Sequence, residues 1–93
     1  MKVVINACHG GFGLSDEAMA EFKTRKGIVD KDFWEYDIAR DDPVLVQLVE
    51  EMGEAVDGRY SELKVVDIPD DVEWTVKEYD GLEWVAEVHR TWS

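Results

Sequence analysis

The stretch that decides the reading is Val3-Val4-Ile5-Asn6-Ala7-Cys8-His9-Gly10-Gly11-Phe12-Gly13-Leu14-Ser15. It begins as a short Val/Ile run, apolar on both faces, as a central strand should be. It continues into a loop by glycine content alone. It ends on Ser15, a good N-cap, with Asp16 and Glu17 in the first turn where the helix dipole favours acids. Leu14 and Met19 stand at the two positions of a hydrophobic staple. Ala18, Met19 and Phe22 form the buried stripe. Lys23, Arg25 and Lys26 load the last turn with positive charge, and Gly27 stops the helix.

Working outward, Trp34, Tyr36 and Ile38 alternate with Glu35 and Asp37, which suits a short strand or extended segment. Asp42 then caps a second helix with Pro43 at its first position. Leu45, Leu48, Val49 and Met52 make its core-facing stripe. Residues 63–68 read as a second central strand closed by Pro69, and the last third as a hairpin turning at Asp80-Gly81. A two-residue loop would put Trp74 opposite Glu87 and Val72 opposite His89, whereas a three-residue loop, Tyr79-Asp80-Gly81, pairs Val76 with Trp84, Trp74 with Ala86 and Val72 with Val88. The three-residue loop makes one face wholly apolar and is the register expected here, with Trp74 and Trp84 in the core. Helices link the first and second strands, so a parallel right-handed crossover is expected. The predicted fold is α+β, a small α/β sandwich over residues 1–93 as a single domain. It has a mixed sheet of 4–5 strands, two helices on one face and a C-terminal β-hairpin.

Bulk properties bound the function. The chain has 93 residues, 22 acids and 10 bases, so its net charge is -12. Direct binding to nucleic acid is disfavoured, because the phosphate-driven attraction would become repulsion. The apolar fraction of 45% is too high for a disordered acidic tail. A single cysteine excludes an internal disulfide and suits a reducing cytoplasm. The N-terminal apolar run is too short for a signal peptide, and no stretch reaches the ~20 residues of a membrane span. Charge is uneven: residues 1–29 carry +1, residues 30–57 carry -8 and residues 58–93 carry -5. Only the first third would welcome an anion, while the middle third presents an acidic surface to a basic partner. A core this small gains from homo-oligomerisation, which is expected.

The segment Asn6-Ala7-Cys8-His9-Gly10-Gly11-Phe12-Gly13-Leu14-Ser15 also carries a resemblance. So do Arg40-Asp41-Asp42-Pro43, Gly58-Arg59-Tyr60, Glu78-Tyr79-Asp80-Gly81 and His89-Arg90-Thr91-Trp92. Together they resemble a family of small, functionally uncharacterised proteins of tailed bacteriophages and prophages. The resemblance implies phage origin and a place in the bacterial host cytoplasm. It implies no activity and no catalytic residues. Phage accessory proteins of this size often counter host defence or redirect host enzymes.

The glycine loop between strand and helix is shaped for an anion, since it aims backbone amides at whatever fills it. It matches neither the dinucleotide fingerprint, whose third glycine is missing, nor a Walker loop, which needs Gly-Lys-Ser/Thr. It also lacks the arginine of a cysteine-phosphatase loop, because Leu14 stands there. His9 and His89 show no zinc spacing, so no metal and no cofactor are expected. Candidate ligand-binding residues are Cys8, His9, Gly10, Gly11, Phe12, Gly13 and Ser15, with Trp34 and Tyr36 as an aromatic platform. His89 and Arg90 would supply cations if the last strand lies beside the first. The expectation is a non-catalytic binder of a small nucleotide-like anion, able to sequester a host signalling nucleotide. One alternative is an acidic inhibitor that docks on a basic groove of a host enzyme through residues 30–57 and Phe33, Trp34 and Tyr36. Another is an enzyme using Cys8 as a thiolate.

Overall fold

The fold is that of a computed structural model, which describes residues 1–29, 33 and 35–88, Tyr36 for its backbone only. Strand β1 (Lys2–Asn6) leads through the glycine loop into helix α1 (Asp16–Lys26). A 3-10 turn (Glu35–Asp37) precedes helix α2 (Pro43–Met52), and a second one (Gly53–Val56) follows it. Strand β2 (Leu63–Asp67) and the hairpin β3 (Trp74–Tyr79) and β4 (Leu82–Glu87) complete the chain. The class is α+β, with four strands among the described residues and a C-terminal hairpin.

Both helices begin, and α1 ends, where local chemistry says they should. The Ser15 side chain accepts from the Ala18 amide, and Asp42 accepts from the Val44 and Leu45 amides behind Pro43. Gly27 adopts the left-handed conformation. Its amide reaches the Thr24 carbonyl and the Ile28 amide reaches that of Lys23, which completes a Schellman motif. Lys26 Nζ lies 2.9 Å from Asp42 Oδ2, so the end of α1 is tied to the start of α2. Phe22, Leu45, Leu48, Val4 and Val56 form the centre of the core, with Phe12 and Leu14 of the glycine loop packed into the same cluster.

Three expectations need correction. The first is strand direction: β1 and β2 pair antiparallel, Val4 opposite Val65, and β3 with β4 forms a separate antiparallel ladder. Two helices lie between β1 and β2, and each traverses the domain once, so the chain returns to the end it left. A bridge between Leu14 and Asp57 and the bond from Ser15 N to the Val56 carbonyl (2.9 Å) hold it there. From that end β2 can only run back along β1.

The second is the hairpin register. Asp80 (φ 50°) and Gly81 (φ 89°) form a two-residue turn with both residues at positive φ, which matches strand twist. Trp74 therefore faces Glu87, Val76 faces Val85 and Lys77 faces Trp84. The wholly apolar face is absent because the inward side carries Glu83, which is buried and ion-paired. Trp84 consequently lies on the outer side, 42% exposed, with Tyr79 and Val88 also exposed. The third is the segment at 35–37, which forms a 3-10 turn rather than a strand. Ile38 still enters the core, and Phe33 stacks on Phe22 with ring centroids 6.0 Å apart.

Candidate functional site

Three loops converge at the end of β1: the glycine loop, the turn at residues 58–61 and the tip of the hairpin. Two glycines make the approach possible. A Cβ on Gly10 would overlap the Tyr60 carbonyl oxygen, and a Cβ on Gly81 would overlap the His9 carbonyl oxygen. These glycines are required by backbone meeting backbone.

Asn6 organises this junction. Its backbone amide donates to Glu83 Oε1 (2.8 Å), and its Nδ2 donates to the carbonyls of Cys8 (2.7 Å) and Gly81 (2.8 Å). Its Oδ1 accepts from the Glu62 amide at 2.8 Å. Asn6 is fully buried and every polar group of its side chain is used, so it joins β1, the glycine loop, β2 and the hairpin turn. Beside it, Glu83 receives Arg40 through two bonds, one of them Nη2 to Oε2 at 2.8 Å. The Arg40 guanidinium lies 3.7 Å from the centroid of the Phe12 ring. The free edge of β1 is thus satisfied piecemeal, by the Arg40 carbonyl on Val4 N (2.8 Å) and by Glu83 on Asn6 N.

The opening between the glycine loop and the 58–61 turn is a cleft of about 230 Å³. Gly10, Gly11, Phe12 and Gly13 line it on one side, and Arg59, Tyr60 and Ser61 on the other. Among the described residues, the amides of Gly10, Phe12 and Gly13 donate no hydrogen bond, and Arg59 has no acidic partner within 4 Å. The Tyr60 ring is 66% exposed, with the Arg59 guanidinium 5.4 Å from its centroid. Glu35 closes one end: its Oε2 accepts from Leu14 N at 3.1 Å. Ser61 Oγ donates to the Gly13 carbonyl (2.7 Å) and fixes the turn against the loop.

Four of the expected ligand residues, Gly10, Gly11, Phe12 and Gly13, come together in this cleft. Phe12 offers only backbone there, since its ring is buried under Arg40. Ser15 is committed to the fold, donating to the Ala55 carbonyl (2.8 Å) and accepting from Ala18 N. Cys8 Sγ lies 3.5 Å from Asn6 Oδ1 and 3.3 Å from the Tyr60 carbonyl oxygen. The His9 ring turns to the hairpin tip, with Nδ1 3.3 Å from the Asp80 carbonyl oxygen. Strand β4 does lie beside β1, yet the group it brings there is the Glu83 carboxylate. Trp34, His89 and Arg90, and the ring of Tyr36, lie outside the described residues.

The cleft also takes in Leu14, Glu35, Gly58, Arg59, Tyr60 and Ser61, none of which belonged to the sequence-based site; Arg59, Tyr60 and Glu35 are the ones that bear on its chemistry. Gly58-Arg59-Tyr60 carried a usable signal, a base and an aromatic next to a turn glycine in a strongly acidic chain. Nothing local marks Glu35, which meets Leu14 across 21 positions. Elsewhere, a larger, shallow depression of about 690 Å³ runs along β1 and α2, but its Lys2 is already bonded to Glu50. The shifted acids also lie away from the cleft. Burial pushes Asp42 up, but bonds from Lys26 and the Val44 and Leu45 amides outweigh it and hold the carboxyl below its ordinary value. A hydrogen bond from the N-terminal ammonium holds Asp70 low and raises the ammonium in return. Among the described residues no group of three or more His, Cys, Asp or Glu side chains is placed to hold a metal ion, and no helix is long and apolar enough to cross a membrane. Comparison with protein-family models, curated proteins and solved structures returned no match.

Proposed function

We propose that this chain is a non-catalytic binding protein for a small nucleotide-like anion, held in the cleft between the glycine loop and the 58–61 turn. The observation that carries the reading is Arg59. In a chain of net charge -12, a guanidinium without an acidic partner among the described residues stands beside undonated loop amides and an exposed tyrosine ring. A guanidinium and amides bind phosphate oxygens, and a tyrosine face takes a base. The surroundings of Cys8 support a non-catalytic role, since its sulfur faces two oxygens and the adjacent His9 ring points to the hairpin. Phage origin, sequestration of a host signalling nucleotide in the bacterial cytoplasm and assembly as a homo-oligomer belong to the same proposal, and rest on the motifs quoted above. The acidic-inhibitor alternative loses one of its three aromatics, because Phe33 is stacked on Phe22.

The test is an amide-resolved NMR titration with inorganic phosphate and a panel of purine nucleotides. Binding should shift the amides of residues 10–13 and 58–61. Arg59→Gln should weaken it about tenfold to a hundredfold, the range expected for a charge-assisted hydrogen bond. A panel that moves none of these amides at millimolar concentration, or moves them equally in Arg59→Gln, overturns the proposal.

A further inference from the structure

We infer that Glu35 selects the charge of the ligand, so that the cleft takes a singly charged phosphodiester in preference to a doubly charged phosphomonoester. This rests on the nucleotide reading above and adds a specificity residue to it. Among the described residues, Glu35 and Arg59 are the two charged side chains that line both the 230 Å³ cleft and the neighbouring depression of about 400 Å³. One of them attracts an anion and the other repels it. The Glu35 carboxylate already holds the Leu14 amide, and a Cβ on Gly13 would stand only 3.4 Å from its Oε1. A phosphate in the cleft therefore meets one guanidinium and one fixed carboxylate, inside a protein of charge -12. One ligand charge is balanced by Arg59. A second has no described cation left in the cleft and adds its repulsion from Glu35. Across a partly aqueous gap such like-charge repulsion is worth roughly tenfold in affinity.

Adenosine 3′,5′-cyclic monophosphate and adenosine 5′-monophosphate make the comparison: the base is the same, and at about pH 8 the phosphate is a monoanion in the first and a dianion in the second. The cyclic ligand also has its 3′-oxygen esterified, so the change of the ratio in Glu35→Gln is what reads the charge. Affinities for both would be measured by calorimetry on the wild type, Glu35→Gln and Glu54→Gln. Gln keeps an oxygen for the Leu14 amide and removes the charge. Glu54 is an exposed acid outside the cleft, so its variant reports the general effect of one charge fewer. The inference expects the wild type to prefer the cyclic ligand about tenfold. Glu35→Gln should bring the two affinities within about threefold by tightening the monophosphate, and Glu54→Gln should keep the wild-type ratio. Equal affinities in the wild type, or a ratio that Glu35→Gln leaves unchanged, overturn the role of Glu35 while the cleft remains a nucleotide site. Failure of all three proteins to bind either ligand overturns the role of Glu35 and the nucleotide reading together.

Discussion

Replacing Glu83 by alanine tests what docks the hairpin. Glu83 Oε1 accepts from Asn6 N at 2.8 Å and also receives Arg40 Nη1, while Oε2 receives Arg40 Nη2 at 2.8 Å. The two side chains are 7% and 19% exposed, so water can replace little of what is lost. Truncation leaves the Asn6 amide without its acceptor, at about 1–3 kcal/mol. It also leaves Arg40 unpaired over Phe12, and breaking a buried pair from one side costs about 3–5 kcal/mol in total. Against the roughly 5–14 kcal/mol expected of a chain this size, that removes a large share of the stability. Urea unfolding followed by tryptophan fluorescence reads it directly, since Trp74 and Trp84 both lie in the hairpin. Glu83→Gln keeps an acceptor and the packing, and should cost less, about 1–3 kcal/mol. A double-mutant cycle with Arg40→Ala should return a coupling of at least ~2 kcal/mol. A loss below about 1 kcal/mol in Glu83→Ala would refute the reasoning, and would mean that apolar contact alone seats the hairpin.

The remaining predictions concern backbone fit and acid. Gly10→Ala should unfold the junction or cost more than about 3 kcal/mol, because the new methyl overlaps the Tyr60 backbone. Gly11→Ala meets no atom within 4 Å and pays only for a φ of 94°, about 1–2 kcal/mol; comparable melting points for the two variants would contradict this. Asp42→Ala should lose about 1 kcal/mol with the cap of α2. The Asp42 carboxyl is held below its ordinary value, so its contribution is complete above the ordinary aspartate range and is lost as pH falls through the depressed folded value. Asp42→Asn should therefore show a shallower fall in urea midpoint than the wild type between about pH 5 and about pH 2.

Much of the local structure was legible because its determinants sit a few residues apart. Ser15 and Gly27 bound α1, Asp42 and Pro43 start α2, and Asp80-Gly81 turns the hairpin, each through bonds spanning two to five positions. The alternation at Trp34, Tyr36 and Ile38 misled because a 3-10 turn also exposes acids and buries an occasional apolar residue. Within the site, the loop glycines were legible by composition, whereas their reason was not. Gly10 is needed by a carbonyl 50 positions away, and Gly81 by one 72 positions away.

From the sequence alone came the α+β class, both helices with their N-caps and the stop of α1, the approximate positions of the four described strands and a glycine loop suited to an anion. The end of α2 at Met52, capped by Gly53 and well short of Gly58, did not. Tertiary structure decided the direction of β2, because two helical traverses bring the chain back to the end of β1 where Leu14 meets Asp57. It decided the hairpin register, because a carboxylate at position 83 finds its guanidinium at position 40, and an apolar-face argument has no way to value that pair. It also decided the make-up of the cleft, by bringing Glu35 and Arg59 to opposite sides of the same glycine loop. Hydrogen bonds between near neighbours are written in adjacent residues, whereas charges paired across the fold depend on where the whole chain has travelled.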